Sequence, residues 1–342
     1  MNPITERQVI LAASLFTTDT VQKIKSAQHT IILREIRIGQ TKHRNELVFF
    51  IKPELLAISD EQKMLNSLEM IEEIFTEFEV NVSGAAIIPG AVLDTFGIMN
   101  RHYGYINQLS RKASQLVDTD TLRIISDMLG KKITADYQIL GGHEFLNRFK
   151  SDINTLSDIW FAQQANKLRS GFYFIEDTYQ GQPIILVNGF HPSQLQHFTR
   201  KDHCILLMLL HSNSDWKALK FDLVGDTFPE RAKPGSIRGR LFADPDQYGQ
   251  SDVGINTNGV HLSAGPFEAA FEVVNFFSPI TDLDPAITLP LTLEKAVESG
   301  LTTNQALSLL ENPSTENSDL FSATENMNTE DAVNFAKLHF NF

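Results

Sequence analysis

The sequence predicts an α+β fold, in which helices pack on an antiparallel sheet. Two observations support this prediction. Strand patterns and helical patterns alternate along the chain, and a hydrophobic fraction of 42% in 342 residues is enough for a buried core. A chain of 342 residues is also long enough for about two domains of roughly 150 residues each.

The first half of the predicted core contains two strands and two helices. Its strands are residues 46–51 and 80–88, which are apolar runs of strand length. Its helices are residues 60–78, with apolar residues on one side, and residues 94–107. A helix-like segment over residues 6–16 and the strand-like TIILREIRI precede this core.

The second half of the predicted core follows a long insertion. Residues 204–210 and 219–224 read as strands, followed by a loop rich in Gly and Pro and a short strand at His261. A helix then follows over residues 266–277, with apolar residues at helical spacing. This order of elements is typical of a ferredoxin-like antiparallel sheet with helices on it.

Boundaries of composition and pattern divide the chain into four parts. These are a lead-in at residues 1–44, a core at 45–107 and 202–278, an inserted subdomain at 108–201 and an acidic extension at 279–342. The insertion is predicted to be mixed, with helical periodicity over 116–129 and 145–168 and a hairpin around Gly181. Short helices are predicted in the extension over 293–297, 304–310 and 331–338.

Charge and cysteine content exclude several classes of function. The formal net charge of −13, from 29 basic and 42 acidic residues, argues against a nucleic-acid or anionic-membrane partner. Cys204 is the single cysteine, so a disulfide within the chain is excluded, and its apolar surroundings predict a buried thiol. Neither a secretion signal nor an apolar run of roughly 20 residues is present, which predicts a cytoplasmic protein.

The loop after residue 224 carries groups suited to phosphate. Thr227, Ser236 and Arg238 offer two hydroxyls and a guanidinium, and the turn at Pro234-Gly235 lets them converge. Thr227 alone would also suit a plain turn. The stretch therefore predicts a phosphate-binding loop.

His261 follows this loop and precedes a helix. Ser263 can cap that helix, and the N-terminus of a helix favours anions. Glu272 lies close to three helical turns beyond His261, on the side of the helix nearest the histidine. A carboxylate there would hold one ring nitrogen and leave the other to attack phosphorus. The alternative for Glu272 is an ordinary solvated helix face.

These residues resemble the nucleoside diphosphate kinases. The family signature runs through a PGTIRG-like loop to an NxxH-x-S phosphohistidine motif. Two upstream segments resemble the family as well: VFFIKP looks like its first strand with the active-site lysine, and Arg101-His102-Tyr103 looks like its H-Y pair. The matching positions are Gly225, Thr227, Pro234, Gly235, Ser236, Ile237, Arg238, Gly239, Asn258, His261, Ser263 and, upstream, Lys52 with Pro53 and Tyr103.

The resemblance implies phosphotransfer through a phosphohistidine at His261. It implies that Lys52 contacts phosphate and ribose, that Asn258 contacts a sugar hydroxyl, and that Tyr103 supports the lysine or the imidazole. Without the resemblance, Lys52 would read as an exposed strand cap and Tyr103 as a half-buried helix residue. The implied partners are nucleoside tri- and diphosphates with Mg²⁺, and no protein ligand to the metal is predicted. The family forms symmetric homo-oligomers, and the insertion would either leave their contacts intact or block and rebuild them.

Phe221 and the two inserts, at residues 108–201 and 243–252, favour a rival hypothesis, and the chain departs from the family pattern at two positions. Phe221 stands where the family has a further phosphate-binding arginine, and Ala264 stands where it has an acidic residue. Lys220 and Arg231 are candidate replacements for the missing cation. The rival is a catalytically weak or inactive nucleotide-binding or scaffolding module of the same fold. A third hypothesis, phosphotransfer to a protein, also stays open.

Overall fold

A computed structural model describes residues 14–169, 171–315 and 318–340. The chain divides into two compact units. The first contains the described residues up to Phe96 and those from Phe198 onward, and the second contains Gly97–His197. His102 and Tyr103 therefore belong to the second unit. The helix predicted over residues 6–16 lies almost wholly outside the described residues, which begin at Ser14.

Both units contain a β-sheet. In the first unit the strand order is β1-β3-β8-β2-β9 and every neighbouring pair is antiparallel. In the second unit the order is β4-β7-β6-β5, with β4 parallel to β7 and the other pairs antiparallel. The strands are β1 (Ile31–Arg34), β2 (Asn45–Ile51), β3 (Asn81–Pro89), β4 (Gln138–Gly141), β5 (Asn166–Arg169), β6 (Phe172–Tyr179), β7 (Gln182–Val187), β8 (Cys204–Ser212) and β9 (Val260–Leu262).

Helices cover most of the remaining described chain. They are α1 (Thr18–Ser26), α2 (Pro53–Leu56), α3 (Glu61–Glu77), α4 (Gly90–Thr95), α5 (Ile98–His102), α6 (Gly104–Leu116), α7 (Thr119–Leu129), α8 (Gly142–Phe149), α9 (Ile153–Phe161), α10 (His191–Thr199), α11 (Trp216–Ala218), α12 (Ile237–Ala243), α13 (Pro266–Phe277), α14 (Leu291–Glu298), α15 (Thr303–Ser308), α16 (Leu320–Ala323) and α17 (Thr329–His339). The predicted mixed α+β class with an antiparallel sheet is thus present. No helix in the described ranges is long and apolar enough to cross a bilayer.

The central strands of the first unit are buried on both faces. Along β2 successive side chains point to opposite faces, so Phe49 and Phe50 contact different layers. Phe49 packs edge-on against Phe75 of α3 at 5.1 Å between ring centroids, whereas Phe50 lies 5.5 Å from Phe276 of α13. Helix α3 therefore covers one face of the sheet and α13 covers the other.

The segment predicted as a strand at 219–224 is helical instead. Helix α11 continues into a π-helical stretch, Leu219–Val224. The alternation of Leu219, Phe221 and Leu223 is typical of a strand, but Phe221 is 39% exposed. The buried set is Trp216, Leu219, Leu223 and Val224, and their spacing is that of one helix face.

Two helix predictions are wrong in extent. Residues 94–107 form parts of α4, α5 and α6, because Gly97 has φ +59 and interrupts the helix. Residues 145–168 form α8 and α9, and then enter β5. The predicted hairpin around Gly181 is present as β6 and β7.

The buried thiol and the tail helices agree with the sequence. Cys204 is buried in β8, and burial raises its thiol pKa to about 12. The three predicted helices of the extension are present as α14, α15 and α17. They form an apolar cluster with the outer side of α13, where Phe267 and Ala270 contact residues of the extension.

Candidate active site

Strand pairing places His261 on the same face of the sheet as α13. His261 lies opposite Phe50 in the antiparallel pair of β9 and β2, so their side chains share a face. The imidazole stacks on the Phe50 ring, with centroids 4.5 Å apart and an interplanar angle of 18°. Its side chain is 19% exposed. Phe50 therefore supports one face of a ring that remains partly accessible to solvent.

Glu272 holds the imidazole from α13. Its Oε1 accepts a hydrogen bond from Nε2 of His261 at 2.8 Å, and its Oε2 accepts one from the Ser263 hydroxyl. Glu272 is fully buried, so its carboxylate depends on these donors in place of water. With the proton on Nε2, the lone pair of Nδ1 is the nucleophilic position of the ring. The contact predicted from the spacing of His261 and Glu272 is present.

Both the hydroxyl and the backbone N–H of Ser263 form hydrogen bonds with Val48 of β2. The Val48 N–H donates to the Ser263 hydroxyl at 2.9 Å, and the Ser263 N–H donates to the Val48 carbonyl at 3.0 Å. The sequence predicts that Ser263 caps the helix. Its observed contacts instead join the sheet to the Glu272 carboxylate, and Gly265 is the residue that precedes α13 as its N-cap.

Lys52 and Asn258 meet at the end of β2. The ammonium group of Lys52 donates to Oδ1 of Asn258 at 2.6 Å, and the Lys52 N–H donates to the Gly259 carbonyl at 2.9 Å. Gly259 has φ +79, and a Cβ there would lie 2.5 Å from Leu241. Only glycine suits this conformation and approach. The turn before β9 thus holds a cation next to the residues that lead into His261.

Arg238 is a buried guanidinium bonded to backbone. Nη1 donates to the Gly225 carbonyl and Nη2 to the Val260 carbonyl, both at 2.9 Å. Nε is buried, and within the described part of the chain it has no hydrogen-bond partner. Arg238 is 9% exposed. The predicted phosphate ligand therefore ties the loop to β9 and retains one donor for another acceptor.

Asn258 also organises the loop around Thr227. Its Nδ2 donates to the carbonyls of Thr227 and Ile255, each at 3.2 Å. The Thr227 residue is exposed, so its hydroxyl is accessible beside these contacts. Lys52, Arg238 and Asn258 thus come together near β9, and Thr227 lies at the edge of the group.

Burial is the main cause of the perturbed pKa values of Lys52 and Arg238, and neighbouring charges modify it. Burial lowers the pKa of Lys52 to about 8, with Glu54 opposing this effect and Arg238 adding to it. Burial lowers the pKa of Arg238 to about 10, partly opposed by Asp226 and Glu54. Desolvation costs a lone cation more than a paired one. Both groups still carry positive charge at pH 7, in an environment that favours an anionic partner.

Phe221 stands where the resemblance would place a further phosphate-binding arginine, and the described residues around it supply no substitute cation. Phe221 is exposed, and the Lys220 ammonium lies 5.6 Å from its ring centroid. Lys220 forms an ion pair with Glu325 of the extension. Arg231 lies over the Phe228 ring at 4.6 Å. Both candidate replacements thus direct their charge to other partners.

Tyr103 and His102 belong to the other unit, at the junction of α5 and α6. Within that unit the Tyr103 ring lies 5.6 Å from the ring of His191. The predicted role of Tyr103 beside Lys52 stays a prediction.

Sequence reasoning missed four residues in this region. Phe50 could have been found from cross-strand pairing with His261, once the register was known. Glu54 accepts the Gly259 N–H at 3.0 Å and lies two residues beyond Lys52. Glu268 lies one helical turn before Glu272, and burial together with the Glu272 carboxylate raises its pKa to about 8. Trp216, the fourth, is fully buried, and its indole N–H bonds the Ser263 carbonyl.

The side chains around Lys52 and Arg238 suit a metal ion that enters the site bound to the phosphates of a nucleotide. The carboxylates that influence Arg238, those of Glu54 and Asp226, each already accept a backbone N–H. Lys52 and Arg238 are cations, and the Asn258 side-chain oxygen already accepts from Lys52. Mg²⁺ keeps several waters and commonly binds through substrate phosphates. These residues fit Mg²⁺ only as a nucleotide complex, with the chain supplying donors to the phosphate oxygens.

Comparisons with known proteins yield a slight likeness to solved structures. No protein-family model matches this sequence, and no curated protein matches it. A solved structure described as "Crystal Structure Analysis of an NDP kinase from Pyrobaculum aerophilum" is similar to this chain, with a TM-score of 0.33 and 17% sequence identity. The match covers 68% of this chain and 95% of that one.

Proposed function

We propose that this protein is a nucleoside diphosphate kinase-type phosphotransferase, which moves the γ-phosphate of a nucleoside triphosphate to a nucleoside diphosphate through His261. The observation that carries the proposal is the bonding around one imidazole. Glu272 accepts from Nε2, which makes Nδ1 the nucleophile, and Lys52 and Arg238 are held by the residues that precede His261. The strand order β3-β8-β2-β9, all antiparallel, supports a ferredoxin-like core.

The first half-reaction forms one bond and breaks one. Nδ1 of His261 attacks the γ-phosphorus, the bond to the β,γ-bridging oxygen breaks, and a nucleoside diphosphate leaves with the electron pair. The phosphorylated ring retains the proton on Nε2 and carries positive charge, which the Glu272 carboxylate balances. The second half-reaction reverses these steps with another nucleoside diphosphate as acceptor. Both nucleotides use one site, so little base specificity is expected.

The cationic side chains of the chain bind and orient the phosphates. Lys52 supplies an ammonium group, Arg238 supplies a positive charge close to it, and the Thr227 hydroxyl supplies a further donor. The Asn258 side chain fixes Lys52 and the Thr227 loop relative to each other. Mg²⁺, when bound with the nucleotide, neutralises charge on the phosphate oxygens.

A nucleotide-binding or scaffolding module without turnover is the second candidate. Phe221 and the use of two Arg238 nitrogens by backbone carbonyls favour it, because both reduce the donors available to phosphate. One charge-assisted hydrogen bond is worth about 1.5 to 3 kcal/mol, so a single missing arginine weakens binding without abolishing it. The intact contact between His261 and Glu272 favours the enzyme.

Labelling with γ-labelled ATP and Mg²⁺ separates the two candidates. We expect acid-labile, base-stable label on the wild-type protein, no label on His261→Ala, and normal label on His29→Ala, a matched variant at an exposed histidine. Equal labelling of the wild type and His261→Ala would overturn the assignment. Binding of ADP in calorimetry without any label on clean protein would select the scaffolding module.

The lowered pKa of Lys52 predicts a pH dependence of nucleotide binding. Burial sets this pKa to about 8, so the ammonium group is charged below pH 8 and increasingly neutral above it. Binding of Mg²⁺-ADP, measured by calorimetry, should therefore be about tenfold weaker at pH 9 than at pH 7. Lys52→Arg keeps its charge across this range and should lose most of the dependence. An equal dependence in both proteins would exclude Lys52 as its source.

A further inference from the structure

The C-terminal extension packs directly on the helix that carries Glu272. Phe267 and Ala270 of α13 contact an apolar cluster formed by α14, α15, α16 and α17. Ala269 of the same helix belongs to the core cluster on its other side. Helix α13 is therefore held between the sheet and the extension, and the position of Glu272 depends on both layers.

The extension also bonds the turn between His261 and α13. The Asn326 N–H donates to the Ala264 carbonyl at 2.9 Å, and the Thr292 hydroxyl donates to the Pro266 carbonyl at 3.0 Å. At Gly265 the approach is closer, since a Cβ there would lie 2.8 Å from the Thr324 carbonyl oxygen. Three successive positions of this turn are thus fixed by residues that lie far along the chain.

Trp216 links the extension to Ser263. Its indole Nε1–H donates to the Ser263 carbonyl at 3.1 Å, and its backbone N–H donates to Oδ1 of Asn328 at 3.0 Å. Asn328 precedes α17 and also bonds Asn45 at 3.0 Å and Asp215 at 3.0 Å. Because Trp216 is fully buried, water cannot replace either of its hydrogen bonds.

Two further hydrogen bonds connect Ser263 to the imidazole of His261. The Ser263 hydroxyl donates to Oε2 of Glu272, and the other oxygen of that carboxylate accepts from His261. Hydrogen bonds in such a chain constrain one another when they are buried. A shift of the Ser263 backbone would therefore displace the hydroxyl that donates to Glu272, and with it the carboxylate oxygen that accepts from the ring.

We propose that the C-terminal extension, through Asn328 and Trp216, positions the imidazole of His261 for phosphotransfer. The inference rests on the proposed function of His261. Trp216 and Asn328 are positioning residues, because they act through Ser263 and Glu272. The extension is thereby part of the active-site framework, in addition to its contribution to the apolar core.

The hydrogen bonds between Asn328 and Trp216 and between Trp216 and Ser263 form the link between the extension and the site. Two variants remove this link at different points. Trp216→Phe keeps an aromatic ring but lacks the indole N–H, and Asn328→Ala removes the acceptor for the Trp216 backbone. The matched control is Thr302→Ala, which removes the hydroxyl that caps α15 within the extension. The Thr302 hydroxyl bonds Gln305 of the same helix, so its loss acts on the extension away from the link. If Trp216→Phe does not fold, Asn328→Ala carries the test.

The first measurement is independent of turnover. In the full-length protein, the ¹⁵N shifts of the His261 ring nitrogens report which nitrogen carries the proton. We expect the Nε2–H form to dominate in the wild type and in Thr302→Ala, and a mixture of tautomers in both link variants. Ring shifts that stay at wild-type values in Trp216→Phe and Asn328→Ala would overturn the proposal, as would an equal change in the control.

The second measurement separates positioning from general loss of structure. We expect labelling by γ-labelled ATP to be about tenfold slower in both link variants. The dissociation constant for Mg²⁺-ADP should change less than about twofold, because Lys52 and Asn258 do not belong to the link. Equal losses of binding and rate would contradict positioning. If the wild type takes up no label, the proposed function fails, and the ring shifts still decide the positioning.

Discussion

The Glu272→Gln variant should be phosphorylated by γ-labelled ATP about 10²- to 10³-fold more slowly than the wild type. The buried carboxylate accepts one hydrogen bond from the imidazole of His261 and one from the Ser263 hydroxyl. An amide has one acceptor oxygen, so one of these donors meets an NH₂ group. The ring then loses either its preferred tautomer or its support, and the positive charge of the phosphorylated ring loses its counter-charge.

Single-turnover labelling measures this effect without interference from the second half-reaction. The control is Glu298→Gln, which changes a carboxylate that is 63% exposed and pairs with Lys295 in the extension. Its labelling rate should stay within about twofold of the wild type, because exposed ion pairs contribute little. Wild-type rates in Glu272→Gln would mean that the imidazole needs no orienting carboxylate.

The Arg238→Ala variant should lower the free energy of unfolding by about 3 to 5 kcal/mol. Two nitrogens of this buried guanidinium donate to the carbonyls of Gly225 and Val260. Their removal leaves two buried acceptors and a cavity, and separates the loop from β9. The same change removes a cation from the proposed phosphate site, so binding of Mg²⁺-ADP should also fall.

Urea unfolding followed by circular dichroism measures the stability change. Arg231→Ala is the matched control, because Arg231 lies on the same loop and stacks on the exposed Phe228 ring. Its effect should stay within about 0.5 kcal/mol. Arg238→Lys keeps the charge but cannot reach both carbonyls, and should fall between the other two. A fully stable Arg238→Ala protein would show that the two carbonyl contacts do not hold the loop.

Local pattern predicted much of the first unit. The helix at α3 follows from its apolar spacing, and in the structure the Asp60 carboxylate caps it by accepting the N–H groups of Gln62 and Lys63. The strand of β2 follows from a continuous apolar run, and the nearness of Glu272 to His261 was expected because the two residues are only 11 positions apart along the chain. In each case the information lies within a few turns of one segment.

Prediction from the hydrophobic pattern failed where a segment fits both the alternation of a strand and the spacing of a helix. Residues 219–224 alternate like a strand, yet the buried residues follow the helical spacing set by Trp216. Which set is buried depends on the surface that the segment meets. Likewise, the pairing of Arg238 with two backbone carbonyls could not be foreseen, since it requires the loop and β9 to be placed first.

The sequence by itself determined the class of fold, most of the core elements and the chemical groups around His261. Periodicity and motif spacing carry this information, because they act between residues that are close along the chain. Only the tertiary structure decided that Phe50 supports the ring and that Trp216 bonds Ser263. It also decided that Lys220 pairs with Glu325 of the extension. Those contacts join distant segments, and they depend on strand register and on how helices pack.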